Sequence, residues 1–176
     1  MNMAFSVPVV IVVMGVSGCG KSTFGQSLCR RLSARFIEGD QLHPAENIEK
    51  MSRGEPLTDA DRQPWLNAVA IQATQVVRDN QTAVVACSAL KSSYRDIFRG
   101  IEHQVRFAHL FGSRSTILQR MGRRTDHFMP ASLLDSQLDT LESTATEVDV
   151  KELNLENTIE VNLQRFLHFL DNSPID

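Results

Sequence analysis

Val9-Val10-Ile11-Val12-Val13-Met14, followed directly by Gly15-Val16-Ser17-Gly18-Cys19-Gly20-Lys21-Ser22, decides the architecture of this chain. Six consecutive apolar residues read as a strand buried on both faces, the pattern of a parallel sheet. The next eight match G-x-x-x-x-G-K-[ST] at every specified position. The glycines adopt backbone angles closed to other residues and leave no Cβ in the way, so the loop can turn its N–H groups inward around a polyphosphate. Lys21 adds a point charge, and the helix that starts here faces the phosphates with its N-terminus. Ser22 is placed to offer its hydroxyl to a magnesium ion. A nucleoside triphosphate is therefore expected on Gly15, Val16, Ser17, Gly18, Cys19, Gly20, Lys21, Ser22 and Thr23. Cys19, inside this loop at a helix N-terminus, is expected to be a reactive thiol whose alkylation inactivates and against which ATP protects.

Working outward, short apolar runs alternate with longer segments of helical period, which predicts an α/β fold with a mainly parallel sheet between helices. Five strands are expected, at 9–14, 35–38, 83–87, 105–110 and 147–151. Phe24, Leu28 and Leu32 recur every four residues, with Arg30 and Arg31 on another face, so an amphipathic helix follows the loop. Thr58 reads as an N-cap, and Leu66, Val69, Ala70, Ala73, Val76 and Val77 form one apolar stripe that ends near Asn80. Ile159, Leu163, Phe166, Leu167 and Leu170 mark a terminal helix.

With 176 residues, 42% hydrophobic and 22% charged, the chain suits one domain spanning 1–176. A net charge of -3 offers no basic field for nucleic acid. The N-terminal apolar run is too short to cross a bilayer and lacks a basic segment before it. Three cysteines without C-x-x-C spacing argue against a disulfide framework or zinc site and suit a reducing compartment, so a cytoplasmic protein is expected.

Several residues stand where chemistry is expected. Asp40 follows the second strand, so its carboxylate projects at the carboxyl edge of the sheet beside the phosphate loop. There it can take a proton from an attacking hydroxyl or help hold magnesium through water. His43 can hydrogen-bond substrate hydroxyls or serve only structure. Asp59 and Asp61 suit the first turn of a helix for electrostatic reasons alone. Arg62 at the same helix end opposes the dipole and needs compensation, from an anionic ligand or an acidic neighbour. The third strand ends Ala86-Cys87-Ser88-Ala89-Leu90-Lys91, without the aspartate that commonly anchors magnesium. Lys91 and Arg95, four apart, either meet a second anionic group or form a solvated face. Arg120, Arg123 and Arg124 cluster three cations on one helical face, and the stretch 122–130 reads as a mobile lid that could bring an arginine to the transferred phosphoryl group.

Taken together, these islands resemble the gluconokinase family, small P-loop kinases of the shikimate kinase type with a three-layer fold. The resemblance rests on residues 14–22, on Gly39-Asp40-Gln41-Leu42-His43-Pro44 with Asn47-Ile48-Glu49-Lys50-Met51, and on Gly54-Glu55-Pro56-Leu57 with Asp61-Arg62-Gln63-Pro64-Trp65-Leu66. It continues through Cys87-Ser88-Ala89-Leu90-Lys91 with Tyr94-Arg95-Asp96, and through Arg120 to Arg124 with His127-Phe128. It implies transfer of the γ-phosphate of ATP, with Mg2+, to the 6-hydroxyl of D-gluconate, commonly in a homodimer. Lys21, Asp40, Arg120 and Arg124 are then the expected catalytic residues. Asp40, His43, Arg62, Lys91, Arg95 and His127 are expected on the substrate, and Ser22 and Asp40 near the metal. Family members also lack the aspartate at the end of the third strand. Cys19 departs from a common serine, and the region after Thr144 matches weakly. A GTP-hydrolysing switch is disfavoured by the absence of N-K-x-D and of D-x-x-G after a strand, while a kinase of this fold acting on shikimate or a nucleoside monophosphate is the remaining alternative.

Overall fold

Val10–Met14 (β1) is buried along its whole length and lies at the centre of a five-stranded sheet. The computed structural model describes residues 7–122 and 131–173. In chain order the elements are β1, α1 (Lys21–Leu32), β2 (Arg35–Glu38), a 3-10 turn (Gly39–Leu42), α2 (Ala45–Ser52), α3 (Asp59–Arg78), β3 (Ala83–Ala86) and α4 (Ser92–Arg99). There follow β4 (Val105–Phe111), α5 (Arg114–Gly122), α6 (Ala131–Thr140), β5 (Val150–Asn154) and α7 (Ile159–Asn172). The strands run in the order β2-β3-β1-β4-β5 and every neighbouring pair is parallel. After β3 the chain passes to the other side of β1, so a crevice opens beyond the carboxyl ends of the central strands, where ligands bind in such folds.

The helical periodicities hold. Phe24, Leu28 and Leu32 are buried under α1, and the whole stripe from Leu66 to Val77 is buried under α3. Thr58 caps α3 in a reciprocal box with Asp61, and Asn80 takes a left-handed backbone just past the helix end. Leu163, Phe166 and Leu170 bury the apolar face of α7, whose N-cap is Thr158. One continuous apolar cluster joins β1, β3, β4, α1, α3 and α7.

The fifth strand corrects the sequence expectation of 147–151. It starts at Val150, because Glu147 closes a turn onto the Thr144 carbonyl and sends its carboxylate to Arg95 and Arg99. Val148 is 93% exposed, whereas Val150 and Leu153 point into the core.

Two glycines fix the carboxyl edge of the sheet. Gly15 turns β1 into the phosphate loop at φ 136°, where a Cβ would stand 2.5 Å from the Leu110 carbonyl oxygen. At Gly39 a Cβ would stand 2.4 Å from the Ala86 carbonyl oxygen, so only glycine lets the end of β2 lie this close to the end of β3.

Candidate active site

The phosphate loop has the form its sequence requires. Gly18 and Gly20 adopt φ of 80° and 91°, and Gly20 caps α1 with no side-chain hydrogen bond to the helix. The helix therefore presents its first N–H groups to whatever the loop encloses. Lys21 folds back, its Nζ donating to the carbonyl oxygens of Gly15 and Val16 at 3.1 Å each. On one side of the loop is a cavity of about 260 Å3 walled by Gly18, Gly20, Thr23, Phe24, Arg120 and Asn157. Its far wall is the β5–α7 connection, ordered by Asn162, which donates to the Asn154 carbonyl oxygen at 2.9 Å and accepts from Asn157 at 3.3 Å. Apolar walls beside a polyphosphate cradle suit a nucleoside base.

On the other side is a narrower cavity of about 40 Å3, where Ser17, Lys21, Asp40, His43, Arg62 and Gln137 converge with Trp65 behind them. Trp65, on α3, donates from Nε1 to the Gly39 carbonyl oxygen at 2.8 Å and stacks on the His43 ring, with centroids 4.0 Å apart. One indole thus holds both the turn that carries Asp40 and the imidazole beside it. Asp40 keeps 58% of its side chain exposed, and its Oδ1 lies 3.9 Å from His43 Nε2. Asn47 donates to the Asp61 carbonyl oxygen at 2.9 Å, and its Nδ2 lies 3.4 Å from His43 Nδ1. An amide nitrogen has only hydrogens to offer, so this contact assigns the His43 proton to Nε2, facing Asp40. Burial lowers the His43 pKa to about 4 against the attraction of Asp40, and the ring is a neutral donor near pH 7.

Arg62 is 7% exposed, and burial lowers its pKa. Its neighbours do not neutralise it. Asp59 accepts from Lys91 at 2.8 Å and from the Tyr94 hydroxyl, while Asp61 accepts from Lys50 at 2.8 Å and from Thr58. Those hydrogen bonds hold Asp61 down to about 2. Among the described residues Arg62 forms no ion pair, and it donates only from Nε to the Leu57 carbonyl oxygen at 3.4 Å, with the Tyr94 ring 5.8 Å away. A buried guanidinium left in this state is built to receive an anion.

A family model described as an AAA domain matches residues 10–147. The gluconokinase of Gluconobacter oxydans is 47% identical over 163 residues, covering 92% of this chain and 92% of that protein. This chain belongs to the gluconokinase family. The thermosensitive gluconokinase of Escherichia coli K12 is 46% identical over 149 residues, covering 84% of this chain and 80% of its own length. A crystal structure of a gluconokinase from Sinorhizobium meliloti 1021 superposes with a TM-score of 0.84 at 45% identity, over 93% of this chain and 92% of that one.

Within this gluconokinase framework the predicted residues separate. The loop residues, Asp40, His43 and Arg62 come together. Arg95 does not join them: it is 0% exposed, donates to the carbonyl oxygens of Ala89 and Leu90 at 3.0 Å each, and pairs with Glu147, which corrects its expected place on the substrate. Lys91 is likewise spent on Asp59 and does not line the cavity, which revises the second-anion expectation. Arg120 lies on the nucleotide side, donating to the Leu155 carbonyl oxygen at 2.9 Å, rather than toward the acceptor. Cys19 is 0% exposed, its Sγ 2.9 Å from where a Cβ on Gly15 would be; reagents reach this thiol only if the loop opens, contrary to the expected reactivity. Arg124, His127 and residues 123–130 of the expected lid lie outside the described residues. Asn157, Asn162 and Gln137 were not marked by any motif; the two asparagines flanking the Thr158 cap are a signal that could have located the base pocket.

Proposed function

We propose that this member of the gluconokinase family transfers the γ-phosphate of ATP to the 6-hydroxyl of D-gluconate, giving 6-phospho-D-gluconate and ADP. The observation that carries it is the buried Arg62 guanidinium, without an ion pair among the described residues, in the same cavity as Lys21 and Asp40. A sugar acid supplies what this cavity lacks: a carboxylate for the Arg62 fork and hydroxyls for the polar wall.

The protein's own groups then have distinct tasks. Arg62 fixes the carboxylate end, and the His43 Nε2–H donates to a hydroxyl. Asp40, in the same cavity as Lys21, takes the proton of the attacking hydroxyl as the oxygen bonds to phosphorus and the ADP oxygen departs. Lys21 exchanges its loop carbonyls for phosphate oxygens and stays with the charge as it moves. Arg120 steadies the nucleotide beside the β5–α7 wall, and in the expected lid at 122–130 Arg124 is proposed to act on the transferred phosphoryl group and His127 on the substrate. The donor set fits magnesium: a hydroxyl from Ser22, one carboxylate from Asp40, and no cluster of three acidic, histidine or cysteine ligands among the described residues, as suits an ion held mainly by phosphates and water. Magnesium would screen the β- and γ-phosphate charge there.

The chain is proposed to act as a single domain in a homodimer, in the cytoplasm and without nucleic acid. In support, no disulfide joins the three cysteines, and no helix among the described residues is long and apolar enough to cross a membrane. A panel of aldonic acids and shikimate, assayed with ATP and magnesium, tests the substrate. Gluconate is expected to give the highest kcat/KM, with product phosphorylated at the 6-position; preference for another acid would replace it.

A further inference from the structure

Gln137 on α6 reaches across the molecule to the phosphate loop. Its side-chain oxygen accepts from the Ser17 backbone N–H at 2.7 Å, a contact between residues 120 apart in sequence. The same side chain lines the acceptor cavity with Lys21, Asp40 and Arg62, and a cleft beside it with Met51 and Leu57. Gly18 and Gly20 face the nucleotide cavity, whereas Ser17 faces the acceptor cavity. Ser17, with Lys21, therefore stands at the boundary that a transferred phosphoryl group must cross.

A loop N–H at that boundary is a donor that an anionic γ-phosphate oxygen competes for, and a charged acceptor makes roughly twice as strong a hydrogen bond as a neutral carboxamide. We infer that Gln137 is an exchange latch: its carboxamide oxygen satisfies Ser17 N–H before ATP arrives, yields that donor to the γ-phosphate, and then accepts from a hydroxyl of the acceptor. Arrival of the donor nucleotide thereby finishes the acceptor wall. A carboxamide oxygen suits this exchange because it accepts from a backbone N–H and from a substrate hydroxyl alike. ADP lacks the γ-phosphate and leaves the latch closed.

This inference rests on the gluconate reading for its acceptor half but not for its nucleotide half, so the two fail separately. Binding of a non-hydrolysable ATP analogue and of ADP is titrated without acceptor, and gluconate KM is measured with ATP. Gln137→Glu puts a carboxylate on Ser17 N–H that holds it more tightly and repels the γ-phosphate. It is expected to weaken the ATP analogue by roughly tenfold while leaving ADP within about twofold. Gln137→Ala is expected to raise gluconate KM by roughly tenfold with affinity for the ATP analogue unchanged or improved. Equal weakening of both nucleotides by the Glu variant, or an unchanged gluconate KM in the Ala variant, overturns the latch. Gln137→Met keeps the length of the side chain without its polar atoms and must reproduce the KM rise; thermal melts of all three confirm that the fold is retained. Failure of the wild-type chain to phosphorylate gluconate would sink the substrate reading, leaving the comparison of ATP analogue with ADP to decide the latch.

Discussion

The two cavities on either side of the phosphate loop are built on opposite plans. On the nucleotide side the phosphate cradle is local, one unbroken run from Gly15 to Thr23 whose shape follows from three glycines and the start of a helix, and only the far wall comes from Arg120 and the β5–α7 connection. The acceptor side is assembled from distant parts, with Asp40 after β2, Arg62 and Trp65 on α3, Ser88 after β3 and Gln137 on α6. A cradle for phosphate needs backbone, which any chain can supply in one stretch. Discriminating among small acids needs side chains converging from several directions. The donor is therefore written in a motif, and the acceptor in a topology.

The sharpest way to break this contrast is Asp40→Asn, which removes the proposed proton acceptor and nothing from the phosphate loop. Turnover is expected to fall by about a thousandfold with ATP affinity retained; near-normal turnover would remove Asp40 from the chemistry. Arg95→Met comes next and works in the other direction. It leaves Glu147 without one partner inside the protein, and is expected to cost about 3 kcal/mol of stability with the kinetic constants preserved, read by denaturant titration and assay. Arg62→Met should raise gluconate KM by about thirtyfold, or 2 kcal/mol, and leave stability unchanged or improved, because it removes a buried charge that has no ion-pair partner among the described residues. Trp65→Phe keeps a ring against His43 but deletes the hydrogen bond to the Gly39 carbonyl oxygen. A drop in kcat of about tenfold with ATP affinity intact would show that α3 places Asp40.

The smallest effect is on stability in acid. His43 and His109 have folded pKa values lowered by burial to about 4, below the ordinary 6.5, so the unfolded chain binds more protons between those limits. Stability is complete above pH 6.5 and falls as the pH drops toward 4. Melts across that window should show the loss, and His43→Gln should reduce it.

Much of this was legible in the sequence for a physical reason. Periodicity reports which face of an element is buried, and the fold is a matter of faces; the loop motif is contiguous, so its geometry is local. Two arginines show where legibility stops. Arg62 and Arg95 are both on helices near the sheet edge, and nothing within a few residues of Arg95 says that it is spent on protein. Arg95 meets Glu147, 52 residues later, and Glu147 was read as the start of a strand rather than as part of a turn. The misplaced fifth strand and the misassigned Arg95 are thus one error seen twice. Gln137 was invisible for a related reason: a glutamine in Asp135-Ser136-Gln137-Leu138 carries no pattern, and only the packing of α6 brings it to Ser17. Arg62 was readable because its two acidic neighbours suited the helix dipole without it, which left its charge to be explained.

The close approach of Gly39 to the Ala86 carbonyl oxygen divides labour across evolutionary time. Because the turn carrying Asp40 is seated by backbone against backbone and by the Trp65 indole, its place at the sheet edge does not depend on Arg62, Met51, Leu57 or Gln137. Selection for a different acid can rewrite Arg62, Met51 and Gln137 on the helices and Leu57 in the loop before α3 while the reacting end stays where it is, so substrate preference is free to drift without relearning phosphoryl transfer.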